Sequence, residues 1–358
     1  MRVAIDNRAV IHSGIGNYSA ILLSLLPQVN KDIETIAYED NFAFNRQGFW
    51  NKYVNGLRRL IRDQIFLSSW MKKEKIDLFH NPRNTGVPFF HTGKVVVTIH
   101  DIIPHVFPKF YLGNIIERLY YEVMIRLSIY RSDKIITISE FSKQELIKYY
   151  QVPADKIVVI PLACSDKFRV LDQESIEKVK TKYQLERPYI LTIGGSEYRK
   201  NVKTVLEAYD EEINKQYDLI VIGGSWRGRD LANEYKDKGG IKFLTGIPDD
   251  DLVALYNGAA VFVYASIYEG FGLPLLEAMG CGTPVIAANT SSLPEIAGNA
   301  AVYFVALDVV DLKNKTKNVL LNVKLKEKLI KQGFVRFHLY NWKYTVQKTS
   351  SIYKKILE

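Results

Sequence analysis

The sequence predicts an α/β protein of two domains, each built on a parallel sheet. Three observations carry this. Apolar runs at Val3–Asp6, Val95–Ile99, Lys134–Ile138, Tyr189–Ile193, Leu219–Ile222 and Ala259–Tyr264 end in glycine or polar residues, the pattern of buried parallel strands. The pattern restarts at Tyr189, after a charged stretch, residues 166–187, that reads as a link. The chain has 358 residues, too many for one ordinary core. The expected division is 1–167, 168–338 and a closing helical segment, 339–358.

Composition narrows the class. An apolar fraction of 47% with 24% charged residues is that of a soluble globular protein. Cys164 and Cys281 are far apart and have no metal spacing around them, so a reduced, cytoplasmic compartment without a disulfide is expected. The first residues read as a strand, not a signal peptide. No apolar run nears the roughly 20 residues that span a bilayer. The net charge of +9 suits phosphorylated substrates or anionic lipid. No zinc-finger spacing or RNA-binding aromatic signature points to nucleic acid.

Taken in order, Val3–Asp6 is a strand. The stretch His12–Tyr18, with Gly14 and Gly16, reads as a loop before a helix carrying Ile21, Leu22, Leu25 and Leu26. Gly14-x-Gly16 is half a dinucleotide fingerprint; Ser19 stands where the third glycine would be, so a plain strand-to-helix turn stays open. Residues 50–75 alternate Arg58, Arg59, Arg62, Lys72 and Lys73 with Leu57, Ile61, Ile65, Phe66 and Trp70. They form either a face for an anionic membrane or a solvated basic face over a packed one.

Val95–Ile99 ends in His100-Asp101, and polar residues at the carboxyl end of a parallel strand face the ligand crevice of an open sheet. A buried core histidine is the alternative. Ile115–Ser128 reads as a helix. Lys134–Ile138 ends at Ser139 and Ser142, either of which can cap the next helix. Asp155–Leu162 reads as the last strand of the first half.

In the second half, Tyr189–Ile193 is followed by Gly194-Gly195 and then Arg199-Lys200-Asn201. The glycines turn the backbone and the adjacent cations can neutralise a diphosphate. Lys242–Pro248 precedes Asp249, Asp250 and Asp251, which suit a helix start. Phe334–Leu357 reads as one helix.

The most informative stretch is Tyr268–Met279. A strand, a loop with Gly270, Phe271 and Gly272, and a helix opening at Leu273-Pro274 point backbone N–H groups and a positive helix end at the loop, which favours a phosphate. Glu269 and Glu277 bracket that loop, eight positions apart.

This segment resembles the Glu-x7-Glu motif of the family-four retaining glycosyltransferases. The resemblance continues through Gly280–Ala287 and Asn289–Glu295, and extends in weaker form from Gly14 to Trp342. It implies a GT-B fold, two Rossmann-like domains facing across a cleft, with the last helix crossing back to the first. The first domain would bind the acceptor, with Ser139 a candidate contact and the Gly14–Gly16 loop near donor phosphates or acceptor. The second would bind the donor. The resemblance implies that Arg199 and Lys200 hold the diphosphate, Glu269 the sugar hydroxyls and Glu277 the ribose. Backbone near Ile247 would meet the base, and His100 and Asp101 the transferred sugar or acceptor. Two departures stand out: Gly195 occupies a position where many relatives carry arginine, and Ala163–Asp166 replaces the usual Gly-Val-Asp.

The implied activity is retaining transfer of a hexose, mannose or rhamnose favoured, from a GDP, dTDP or UDP sugar to a hydroxyl of a glycan or polyprenyl-linked acceptor in bacterial polysaccharide synthesis. No cofactor or metal is expected, because the fixed cations suffice. A cytoplasmic location, with a candidate peripheral contact at the inner membrane face, follows. The alternatives are a sugar-nucleotide epimerase on the same fold and a non-catalytic partner subunit.

Overall fold

The computed structural model describes residues 1–8, 14–39, 61–91 and 93–358. They form two compact units, Met1–Pro161 with Trp342–Glu358, and Leu162–Asn341.

The first unit holds six parallel strands: β1 Arg2–Asp6, β2 Glu34–Tyr38, β3 Leu78–Asn81, β4 Lys94–Ile99, β5 Lys134–Thr137 and β6 Ile157–Val159. Their order is β2-β1-β3-β4-β5-β6. Register runs Val3 to Leu78, Phe79 to Val95 and Val97 to Ile135, so the apolar runs lie side by side. Ala4, Phe79, Val95, Val97, Ile99 and Ile135 pack with Leu146 and Ile157 in one core. Helices cover the sheet: α1 Gly14–Val29, α2 Ile115–Arg131 and α3 Glu140–Tyr150.

Two expectations are corrected here. The loop at Gly14 and Gly16 is helical, because α1 begins at Gly14 and Gly16 already accepts the Ser19 hydroxyl at 2.9 Å. The strand expected over 155–162 is only Ile157–Val159, since Ala154–Lys156 forms a 3₁₀ turn. In the basic stretch, Arg58, Arg59 and Leu57 lie outside the described residues. Arg62 is buried against Asp63 at 3.0 Å, and Trp70 packs on Tyr38 at 4.8 Å. Lys72 and Lys73 are exposed while Leu67 and Met71 are buried, so the described part keeps basic side chains in solvent over a packed side, with Ile65 and Phe66 exposed as well.

The helix expected over 334–357 is two: Val323–Leu339 and Trp342–Leu357, separated at Tyr340-Asn341. The second belongs to the first unit and packs on α1. Tyr353 on it is fully buried and its hydroxyl meets Nδ1 of His80, whose Nε2 meets Thr98 Oγ1 at 2.7 Å. Burial, reinforced by His100, lowers the His80 imidazole to about 3, so it is neutral.

The second unit repeats the design with β7 Tyr189–Ile193, β8 Asp218–Ile222, β9 Ile241–Leu244, β10 Val261–Tyr264, β11 Val285–Ala288 and β12 Ala301–Phe304, in the order β12-β11-β10-β7-β8-β9. Its helices include α4 Asp249–Gly258, α5 Leu273–Gly280 and α6 Val323–Leu339. Helices α5 and α6 pack closely at Gly280, where a methyl group would lie 2.5 Å from the Phe168 carbonyl oxygen and 2.6 Å from the Phe337 ring. The Gly280→Ala protein should lose about 1–3 kcal/mol of stability from this overpacking. A lower urea midpoint with unchanged slope is the readout.

Candidate functional site

Open parallel sheets bind ligands where the strand order reverses, beyond the carboxyl ends of the two strands at that point. In the second unit the reversal lies between β7 and β10. The segment after β7 carries Gly194, Gly195, Arg199 and Lys200, and the segment after β10 carries Glu269, Gly270, Phe271 and Gly272. Topology therefore brings the two most informative sequence segments to one place.

Side chains lock them together. Arg199 Nη1 and Lys200 Nζ lie 2.6 and 2.7 Å from Glu269 Oε1. The Tyr264 hydroxyl donates to the same oxygen at 2.6 Å and the Ser266 hydroxyl at 2.7 Å. All four reach Oε1. Burial alone would raise the Glu269 carboxyl, but Lys200 and Arg199 hold it down at about 2, so it is ionised. Arg199 is braced by Glu197 at 2.8 Å, and its carbonyl accepts the Ile267 N–H at 2.8 Å.

The backbone is shaped to allow this. Gly195 has φ +53°, and a Cβ there would meet the Gly224 carbonyl oxygen at 2.5 Å. A side chain at this position cannot be accommodated without moving the β7 and β8 turns. Gly272, at φ +103°, precedes α5, which opens with Leu273-Pro274. Ser291 and Ser292 clamp the loop: Ser291 Oγ accepts the Glu269 N–H at 3.1 Å, and Ser292 Oγ donates to the Glu269 and Phe271 carbonyls at 2.9 and 2.8 Å. Phe271 is buried and packs edge-on against Tyr340 at 5.5 Å.

Glu277 lies in α5, half-buried, with Oε2 accepting the Tyr256 hydroxyl at 2.9 Å. Burial pushes its carboxyl up to about 7, against the pull of that hydroxyl. The two glutamates of the motif thus differ in charge state: Glu269 is ionised and Glu277 is partly protonated near neutrality. Ile247 is half-buried in the loop between β9 and α4.

In the first unit the reversal lies between β1 and β3. Here Asp6, at the end of β1, is fully buried and meets Arg83, just beyond β3, at 2.7 Å, and Arg8 at 2.6 Å; Arg8 continues to Asp63 at 2.6 Å. Burial opposes the Asp6 charge, but Arg83 and Arg8 hold the carboxyl at about 2. His100 lies at the end of β4, its Nε2 3.0 Å from the Pro82 carbonyl oxygen. That oxygen can only accept, so Nε2 carries the proton and Nδ1 the lone pair. Burial lowers His100 to about 4 despite that bond, keeping it neutral. The Asp101 carboxylate accepts the Ile103 N–H at 3.1 Å. Ser139 is fully buried and caps α3, accepting the Ser142 N–H at 3.1 Å, while Ser142 Oγ donates to the His100 carbonyl. His100, Asp101 and Ser139 are thus neighbours within the first unit.

The family model described as "Glycosyl transferases group 1" matches residues 173–336, and that described as "Glycosyltransferase Family 4" matches residues 14–166. The chain is 33% identical over 296 residues to O-antigen chain mannosyltransferase B of Escherichia coli, covering 80% of this chain and 76% of that one. The chain belongs to the group 1 glycosyltransferases. It is also 33% identical over 277 residues to the serotype-specific mannosyltransferase WbdA of Escherichia coli, where the match covers 74% of this chain and 34% of that protein. Among solved structures, Anabaena HepE in complex with UDP-glucose superposes with a TM-score of 0.74 at 14% identity, covering 99% of this chain and 100% of that one. The glycosyltransferase has the GT-B fold.

Sequence reasoning did not single out Tyr264, Ser266 or Tyr256, the hydroxyls that hold the two glutamates, nor Asp6, Arg8 and Arg83. Tyr264 and Asp6 each end an apolar strand, a polar signal that was present but carried no motif. Among the described residues, no group of three or more His, Cys, Asp or Glu could hold a metal ion.

The raised Glu277 carboxyl sets a pH dependence. An unfolded glutamate ionises near 4.5 and the folded one near 7, so this group costs the glycosyltransferase stability as pH rises through that window, fully above it. Glu277→Gln should therefore stabilise the ligand-free enzyme at pH 8 by roughly 1–2 kcal/mol after allowance for solvent screening, read as a higher melting temperature. At pH 4 the two proteins should melt together. A gain at pH 4 equal to that at pH 8 would show that the ionised form is not the strained one.

Proposed function

We propose that this glycosyltransferase moves mannose from a nucleotide diphosphate sugar to a hydroxyl of a glycan or lipid-linked acceptor in bacterial cell-surface polysaccharide synthesis. The observation that carries this is the Arg199–Lys200–Glu269 cluster at the strand-order reversal of the second unit, held in a chain whose relatives are named mannosyltransferases.

In this reading, Lys200 and Arg199 carry the negative charge that grows on the leaving diphosphate, aided by the N–H groups that open α5. Preorganised cations make a divalent metal unnecessary. Glu269, fixed through Oε1, meets the sugar hydroxyls. Glu277 accepts from the ribose, and the loop around Ile247 lies against the base. Neutral His100 offers Nδ1 to a hydroxyl of the transferred sugar or acceptor. Transfer proceeds with retention, the leaving phosphate taking the acceptor proton. A catalytically silent partner subunit would have no need of a buried carboxylate held by two cations.

The direct test is thermal-shift binding of GDP-mannose, UDP-glucose and dTDP-rhamnose without metal, on wild type and Lys200→Ala. One donor should stabilise the wild type by about 2.7 kcal/mol at a hundredfold excess over its Kd, and the mutant should lose that shift. No shift with any donor would sink the donor-site assignment. In turnover assays, Glu269→Gln should reduce kcat about 10²–10³-fold, EDTA should leave the wild-type rate unchanged, and the product should keep the α configuration of the donor. A rate abolished by EDTA and restored by magnesium would overturn metal independence.

A further inference from the structure

A cleft of about 260 Å³ opens in the second unit beside the Arg199–Lys200–Glu269 cluster and is lined by none of those three residues. Its wall comes from the segments that follow β7, β8, β10 and β12. The 3₁₀ turn Tyr198–Lys200 divides the two places, and the Asn201 N–H closes it on the Tyr198 carbonyl at 3.1 Å. With three residues per turn, positions 198 and 201 lie over one another, while 199 and 200 point elsewhere. Arg199 and Lys200 accordingly reach Glu269, and Tyr198 and Asn201 line the cleft. Arg229 enters from the turn after β8, where Trp226 and Arg229 exchange backbone hydrogen bonds at 2.9 and 3.0 Å. The Ser196 hydroxyl ties that segment to the one after β7, accepting the Leu231 N–H at 2.9 Å.

The polar part of the wall calls for an anion. Asn201 is 8% exposed, and its Oδ1 accepts the Thr204 hydroxyl at 2.8 Å, which fixes the amide. Its Nδ2 is buried in the wall without a hydrogen-bond partner among the described residues. A buried donor left unpaired is costly and rare in folded proteins, and an acceptor supplied by a ligand removes the cost. Lys203 and Arg229 bring two cations to the same wall against one carboxylate, Glu207, which lies 3.6 Å from Lys203. The rim is different in character. Tyr198 is 40% and Leu307 60% exposed there, and Leu307 is held at φ +68°. An aromatic ring and an aliphatic side chain at a rim cover the faces of a ring-shaped ligand, while fixed polar groups hold its substituents.

We propose that this cleft binds a sugar ring carrying one anionic group, phosphate or carboxylate, at a site separate from the nucleotide-sugar site. Arg229, Lys203 and the Asn201 amide take the anion, and Tyr198 and Leu307 cover the ring. Two sources supply that chemistry: free hexose phosphates and acidic residues of a glycan chain. Inorganic phosphate is the poorer occupant because it leaves the apolar rim uncovered. A neutral sugar is poorer because it leaves two cations facing one carboxylate. This goes beyond the transfer reaction and is independent of which donor binds.

The experiment is calorimetric titration of the full chain with mannose 6-phosphate, glucuronic acid, mannose and inorganic phosphate. The wild type should bind mannose 6-phosphate or glucuronic acid at least about tenfold more tightly than mannose or phosphate. The tighter of those two acids tells a free sugar phosphate from an acidic glycan residue. Arg229→Ala/Lys203→Ala should lose at least about tenfold of that affinity. Asn201→Gly, which keeps the left-handed backbone and removes the amide, should weaken it as well. Lys200→Ala should keep it, which separates the cleft from the nucleotide-sugar site. Arg229→Ala/Lys203→Ala should also keep the wild-type melting temperature and the wild-type response to nucleotide sugars, which separates loss of the cleft from misfolding. The proposal is overturned by no binding of either acid, by mannose or phosphate binding as tightly as the acids, by equal binding of wild type and Arg229→Ala/Lys203→Ala, or by loss of the acid in Lys200→Ala.

Discussion

The second unit of this glycosyltransferase depends on one buried carboxylate. Glu269 cannot stay ionised in a nearly dry site unless cations and hydroxyls surround it, and Arg199, Lys200, Tyr264 and Ser266 all converge on its Oε1. These partners come from the end of β10, the residues just after it and the 3₁₀ turn Tyr198–Lys200, so the ion cluster fastens the segment after β7 to the segment after β10. The glycine turn at 194–195 and the serines at 291–292 are the scaffolding that allows this approach. Removing either cation would leave the carboxylate part-compensated in the interior. Much of the local architecture is therefore committed to holding that charge.

The first unit uses the same topology for a different electrostatic device. Asp6 at the end of β1 joins Arg83 beyond β3 across the strand-order reversal, and Arg8 extends the network to Asp63. Nearby, two histidines are kept neutral by burial, His80 between Tyr353 and Thr98, His100 against the Pro82 carbonyl. A neutral imidazole with a fixed tautomer is a hydrogen-bonding group of defined direction. The His80–Tyr353 contact also gives the last helix a polar anchor inside the unit to which it returns.

The two units differ in charge. The second is electrically balanced, and in the Arg199–Lys200–Glu269 cluster opposite signs compensate each other. The first carries the whole excess of positive charge.

The sequence by itself determined the fold class and the donor motif. Apolar strand runs, restarted at Tyr189, and the Glu269–Glu277 bracket around Gly270–Gly272 are local patterns, and local patterns survive in one dimension. Helix limits were less legible: α1 reaches back to Gly14, and the break at Tyr340-Asn341 interrupts a helical spacing without proline or glycine to mark it. Only the tertiary structure decided which groups touch. That Tyr264 and Ser266 hold Glu269, that Asp6 pairs with Arg83 77 positions away, and that Tyr198, Arg229 and Leu307 line one cleft, all follow from strand order and helix orientation. Those are set by the packing of distant segments, and no residue type announces them.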